Sequence, residues 1–217
     1  GTGPNGAIIH YKASKDSDRR LKKGDIYLVD SGGQYNYGTT DVTRTICFST
    51  QKRTIKDKYT KVLKGHISVA LTNLKKINTG KQIDLRARKF LNRDGLNYSH
   101  GTGHGVGFFL NVHEGPQAIS KYNSIKLKEG KVLSNEPGYY KEGHYGIRIE
   151  NLIYIKKENK KLSFENLTLA PIEKDLINFK KLNKKEKNYL FKYHLNVYTK
   201  LSKLLNRNER KWLSSFI

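Results

Sequence analysis

Ile26-Tyr-Leu-Val-Asp30-Ser-Gly-Gly-Gln-Tyr35-Asn-Tyr-Gly-Thr-Thr-Asp41-Val-Thr-Arg-Thr-Ile-Cys-Phe48 holds two β-rich runs, Ile26–Asp30 and Thr39–Phe48, on either side of a turn-prone Gly-Gly-Gln-Tyr-Asn-Tyr-Gly stretch. Such runs, bounded by Gly and Asn, read as a hairpin. Aspartate is depleted in strands, so Asp30 and Asp41 stand out. A turn centred on Tyr35-Asn36 makes them cross-strand neighbours with Cβ atoms about 5 Å apart, which destabilises like charges unless something positive lies between them. A second pair repeats the pattern. The runs Lys131–Asn135 and Tyr145–Ile155 are joined through the glycine-containing turn Lys141-Glu-Gly-His144, and Gly143 lies midway between Glu136 and Glu150.

The plainer alternative for either hairpin alone is that a bulge shifts the register, or that Arg44, Arg148 or a lysine neutralises the pair. It is harder to sustain for both at once. Four carboxylates form a hard, oxygen-rich cage suited to divalent cations of the manganese, cobalt or magnesium kind, and one imidazole tilts it towards a transition metal. His104 is placed to supply it, within Ser99-His-Gly-Thr-Gly-His-Gly-Val-Gly107, where small residues let the backbone approach a site closely. A lone histidine is more often structural than a ligand. Here His100, His104 and His113 fall within fourteen residues of one another, and with His10 they make four of only seven histidines.

Between the hairpins, apolar positions from Ile55 to Leu74 keep to one face at the 3.6-residue period, predicting a helix over Ile55–Ile77 stopped by Asn78 and Gly80. A second helix is predicted over Ile83–Leu91, ended by Asp94-Gly95 and followed by a functional loop from Tyr98 to Gly107 that feeds a strand. After Pro171 a helical stripe of Leu190, Tyr193, Val197, Leu201 and Leu204 leads to an aromatic tail, Trp212–Ile217, expected to cover the core or a partner chain. These elements predict an α+β fold in one main domain.

Composition excludes more than it identifies. No apolar run approaches the roughly 20 residues of a membrane-spanning helix. The single cysteine, Cys47, rules out an internal disulfide framework and is expected to be a small core residue. Lys plus Arg number 42 against 19 for Asp plus Glu, a formal charge of +23, so a nucleic-acid or anionic-surface partner has to be weighed. The lysines thicken in Lys156–Lys161 and Lys180–Lys187 among Asn and Glu rather than among aromatics at stacking intervals, which reads as solvated surface. Heavy use of Lys, Asn, Ile and Tyr also looks like a genome-wide bias. Gly101–Gly107 is not a dinucleotide fingerprint, since its glycines alternate and no acidic residue sits at the ribose-binding distance. No Walker lysine and no Gly-x-Ser-x-Gly elbow is present.

Five segments in fixed order resemble the aminopeptidase P family. They are Thr2–Tyr11, Val29–Tyr35, Gly38–Thr45, His100–Pro116, and Asn135–Tyr140 through Gly146–Asn151. The resemblance is to the eukaryotic, three-domain form, within the branch that also holds methionine aminopeptidase, prolidase and creatinase. It implies the pita-bread fold, a curved antiparallel sheet flanked by helices, here lacking its first helix and strand. It implies a catalytic domain over residues 1–183, a helical tail over 184–217, and upstream non-catalytic domains that this chain does not contain.

By the same resemblance Asp30, Asp41, His104, Glu136 and Glu150 match the positions that hold two divalent ions, usually manganese, with cobalt or zinc as alternatives. Asp41 and Glu150 are expected to bridge the ions, Asp30 to chelate one, and His104 with Glu136 to hold the other. Glu136, His113 and His100 are the expected catalytic residues, and His10, His100, His113, Tyr140 and Arg148 the expected substrate-binding or supporting ones. The implied activity is release of the N-terminal residue from peptides with proline in second position, by a cytoplasmic homodimer or one in a degradative, lysosome-like compartment. A prolidase-like dipeptidase and a catalytically dead binding module are the alternatives.

Overall fold

The computed structural model describes residues 1–109 and 111–217. β1 (Ile26–Tyr35) and β2 (Gly38–Cys47) form an antiparallel hairpin whose two-residue connection is Asn36-Tyr37. Gly32 and Gly33 belong to the strand rather than to the turn, and this corrects the predicted register. Asp30 lies opposite Thr43, and Asp41 lies opposite Gly32. The displacement is an even number of residues, so with a side-chain period of two both aspartates keep to one face. They are diagonal neighbours rather than a facing pair.

α1 (Arg53–Ala70) buries Tyr59, Val62, Leu63, His66 and Val69 of the predicted stripe, and Ile67 beside them. It ends seven residues before Ile77, because Thr72 takes over the terminal acceptors. Its hydroxyl donates to the Ser68 carbonyl at 2.9 Å while its N–H turns to Val69 O at 2.9 Å. Leu74 remains buried in the turn that follows. α2 (Gly80–Asn92) starts three residues earlier than predicted, on a capping box formed by Thr79 and Gln82. Gly80 is required there, since a Cβ would lie 1.8 Å from the Ala118 carbonyl oxygen.

The second half of the sheet is built from short pieces. β3 (Gly103–His104) pairs with β4 (Ala118–Ile119). β5 (Val132–Asn135) and β6 (Gly138–Lys141) return as β7 (Tyr145–Arg148) and β8 (Asn151–Glu158). Asn135 faces Asn151 and Gly138 faces Arg148, leaving Glu136 and Glu150 opposite each other where the two ladders meet. β9 (Lys161–Asn166) adds an edge strand to β8. Sequence reading missed it. The pieces are stitched through backbone bonds, Glu150 N–H to Thr43 O at 3.1 Å and Glu136 N–H to Thr102 O at 2.7 Å.

α3 (Lys184–Leu201) and α4 (Arg207–Ser214) complete the chain, each opened by a capping box. Leu190, Tyr193 and Val197 enter one buried cluster with Tyr59, Ile147 and Ile149, to which Cys47 is a half-buried neighbour. Leu204 does not join the stripe. It follows the end of α3 in a short 3-10 turn and is 80% exposed, and Trp212 packs edge-on against Phe216 while remaining 58% exposed. Arg44 ties the helical end to the sheet. Its Nη2 donates to Tyr193 OH at 3.1 Å and Ala170 O at 2.7 Å, and its Nη1 donates to Glu150 O at 2.5 Å.

Candidate metal centre

The five candidate ligands come from both hairpins and the histidine loop. Asp30 sits on β1, Asp41 on β2, His104 on β3, and Glu136 and Glu150 at the two ladder junctions. All five line one cleft of about 220 Å³, together with His10, His100, His113, Arg148 and Ile9. Oxygen or nitrogen atoms of Asp41, His104 and Glu150 lie within 4.8 Å of one another. Tyr140 stands behind the cleft wall, bonded to His100 and Arg148. Leu110, within the stretch that carries the family resemblance, lies outside the described residues.

The charge-neutralising alternative is met only in part. Arg148 donates to Asp30 Oδ2 at 2.6 Å and lies 4.0 Å from Glu136 Oε2. Arg44 projects to the other face of β2, where backbone carbonyls and the Asn151 side-chain oxygen accept its N–H groups. One guanidinium therefore faces four carboxylates.

Hydrogen bonding places the Nδ1 proton of two histidines. His104 Nδ1 lies 2.9 Å from Gly105 O, so it carries the proton and donates it. This leaves the lone pair of Nε2 directed at two acceptors, Asp41 Oδ2 and Glu136 Oε1, each at 3.4 Å. Acceptors facing acceptors need a cation between them, and an imidazole with carboxylates is a fitting donor set for a divalent transition metal. A proton is the other cation that fits. Burial opposes a charged ring, but Asp41, Glu136 and the Gly105 carbonyl outweigh it and raise the His104 pKa. His100 Nδ1 likewise donates to Gly101 O at 2.6 Å, and its Nε2 accepts from Tyr140 OH at 2.9 Å. Burial, chiefly, holds its pKa down to about 4, so the ring is neutral.

Two side chains that sequence reading passed over direct the carboxylates. Thr43 Oγ1 donates to Glu150 Oε2 at 2.7 Å, and Ser134 Oγ donates to Glu136 Oε1 at 3.0 Å. Ser134 Oγ also accepts the N–H of His104 at 2.9 Å. A signal was available for both, since Thr43 stands two residues from Asp41 and Ser134 two residues from Glu136, on the same face of a strand. His113 is exposed at the rim, its ring centroid 4.0 Å from that of His104. Its nitrogens make no hydrogen bond among the described residues.

Burial, and then the charge of Glu150, raises the Glu136 pKa to about 8, while burial and then Asp41 do the same for Glu150. In the metal-free protein above about pH 7, ordinary histidines are neutral, yet the folded chain still holds carboxyl protons that the unfolded chain has released. Stability must then fall as the pH rises through about 8. The raised pKa of His104 acts with the same sign. Thermal melts in chelator are expected to show a lower midpoint at about pH 8.5 than at about pH 7. A midpoint that climbs over that interval would contradict the crowding of these carboxyls.

A partly buried, carboxylate-rich centre with one imidazole, set between two antiparallel hairpins and flanked by helices, defines a pita-bread metallopeptidase core. The chain belongs to metallopeptidase family M24, whose model matches residues 1–157, and residues 160–215 match the C-terminal region of peptidase M24. It is 47% identical over 226 residues to a probable Xaa-Pro aminopeptidase P of Laccaria bicolor, covering 98% of this chain and 35% of that protein. Its fold matches an X-prolyl aminopeptidase of Caenorhabditis elegans, described as a cytosolic enzyme with a di-nuclear active site. That match has a TM-score of 0.92 and 36% identity, over 99% of this chain and 37% of that one. The prolidase of Pyrococcus furiosus matches with a TM-score of 0.67 and 32% identity, over 77% of this chain and 47% of that one. The chain thus spans about a third of the length of the curated relatives it matches.

Proposed function

We propose that this chain is the catalytic core of a dinuclear Xaa-Pro aminopeptidase, acting on peptides with proline in second position as a cytosolic homodimer. The observation that carries the reading is His104 Nε2 placed 3.4 Å from oxygens of both Asp41 and Glu136, inside a cleft that gathers all five candidate ligands. The likeness to the Laccaria and Caenorhabditis proteins supplies the substrate class and the compartment.

Asp30, Asp41, His104, Glu136 and Glu150 would hold two divalent ions, which we assign as manganese. Such ions act as Lewis acids on the scissile carbonyl and lower the pKa of water. Glu136, steadied by Ser134, accepts the proton of the attacking water. His113, whose ring nitrogens are uncommitted, donates to the developing oxyanion. His100 is less suited to that task, because its Nδ1 proton is given to Gly101 and its Nε2 to the Tyr140 hydroxyl. It contacts the substrate or the leaving proline instead, with His10 at the exposed mouth. Proline has no N–H to donate, so selection rests on ring shape and the polarised carbonyl.

The full-length enzyme should turn over Xaa-Pro peptides of three or more residues and leave matched Xaa-Ala peptides nearly untouched, with two ions per chain by elemental analysis. Equal turnover of the two peptide classes would refute the assignment. Activity confined to Xaa-Pro dipeptides would move the protein to the prolidase-like reading.

A further inference from the structure

We propose that Arg88, on α2 and outside the metal centre, is a positioning residue for His100: it sets the loop that carries this histidine and leaves the metal ligands alone. The inference rests on the reading of His100 as a substrate-contacting group.

Arg88 and Asp84 are one helical turn apart and both are buried, Asp84 completely. An ion pair is costly to bury unless its remaining hydrogen-bonding groups are also used. Here they are spent on one loop. Arg88 Nε donates to Asp84 Oδ2 at 2.8 Å. Nη1 donates to Asn97 Oδ1 at 2.8 Å and Tyr98 O at 2.7 Å, and Nη2 donates to His100 O at 2.6 Å. The guanidinium also lies 3.9 Å from the centre of the Tyr98 ring.

The other oxygen of Asp84 holds the far side of the loop. Thr102 Oγ1 donates to Asp84 Oδ1 at 2.6 Å, and its only hydroxyl proton is used there. The 2.5 Å approach of Tyr98 OH to Thr102 Oγ1 therefore has tyrosine as the donor. Residues on both sides of His100 are thus closed onto one another and onto α2. The ring itself lies outside these bonds, held by Gly101 O at Nδ1 and by the Tyr140 hydroxyl at Nε2.

His104 is fixed independently. Its backbone belongs to the β3–β4 ladder, its N–H goes to Ser134 Oγ, and its Nδ1 goes to Gly105 O. Arg88 touches none of these groups. The one link from the clamp to a candidate ligand is the main-chain carbonyl of Thr102, which accepts the Glu136 N–H at 2.7 Å and which no side-chain substitution in the clamp removes, so the side chains of the clamp bear on His100.

The test uses the full-length, metal-loaded enzyme. Arg88→Lys keeps the charge beside Asp84 but cannot span two carbonyls with a rigid fork. A loss of about tenfold in kcat/KM on an Xaa-Pro peptide is expected, as small misplacements of a substrate-contacting group cost that much or more. Metal stoichiometry and affinity should match the wild type. In a His100→Ala background the same substitution should cost less than about twofold, because residues acting as one unit are strongly non-additive.

Thr102→Val, nearly isosteric, opens the clamp from its other end and should show the same coupling, which keeps the idea testable if Arg88→Lys does not fold. Crystal structures of the variants give a readout without turnover: the His100 ring should swing away from the Tyr140 hydroxyl while His104 keeps its place. Loss of metal, equal losses in the two backgrounds, or a His100 ring that stays where it is would each overturn the proposal. If the wild type itself does not cleave Xaa-Pro peptides, the functional reading falls, and the ring position alone decides the role of Arg88.

Discussion

Glu136→Ala is expected to remove both metal and turnover from the full-length enzyme. Its carboxylate lies 3.4 Å from the open nitrogen of His104, 4.0 Å from Arg148 and across the ladder junction from Glu150. Outer partners of a metal typically account for 10–100-fold in affinity, so deleting a direct ligand should cost at least about 100-fold. With metal and proton acceptor both gone, the rate should fall by more than about a thousandfold. Ser134→Ala provides the contrast, since it keeps both side-chain ligands and removes their shared outer partner, the donor to Glu136 Oε1 and acceptor of the His104 N–H, so it should fall within the outer-partner range. Isothermal titration of chelated protein with manganese, beside steady-state kinetics, measures both quantities. A Glu136→Ala protein that binds two ions with native affinity would refute the ligand assignment.

His113→Ala should separate what Glu136→Ala destroys together. His113 stands at the exposed rim, touches His104 ring to ring and is not placed as a ligand. Burial and then the neighbouring His104 lower its pKa, so the ring is neutral at working pH and can still donate one N–H. Removing a donor to a developing oxyanion costs about a hundredfold or more in kcat. Metal content should remain two ions per chain, and KM should move little by comparison. Unchanged turnover would end the role given to this histidine, and depleted metal would recast it as a ligand.

Much of the site was legible because strands repeat every two residues. The spacing of Glu136 and Glu150 about Gly143 gave their facing positions directly. The register of Asp30 and Asp41 was misjudged by treating Gly32 and Gly33 as turn residues, although glycine also serves in strands where another backbone approaches. That error left the shared face unchanged, so the carboxylates still converge. β9 escaped notice because Lys156–Lys161 reads as a charge run, which hides a two-residue hairpin turn at Asn159-Lys160, with φ of 48° and 63°. Helix ends were set by single side chains, the Thr72 hydroxyl and the Thr79–Gln82 box, that a periodicity count does not weigh. The Asp84–Arg88 clamp was not visible as such, because a helical acid and base four residues apart usually pair in solvent. Only burial against the Tyr98–Thr102 loop gives that pair its use.

Arg44 reaches from β2 to Tyr193 on α3 while its Nη1 holds the carbonyl of Glu150. The helices that close the chain share their buried face with α1 and β7 rather than resting on a finished surface. Sheet, centre and C-terminal helices therefore belong to one cooperative unit. A protease cutting near Asn183 would strip apolar cover from Tyr59 and Ile147 and take a partner from a buried guanidinium. Damage at a distance from the cleft should then surface as altered metal retention, with no ligand touched.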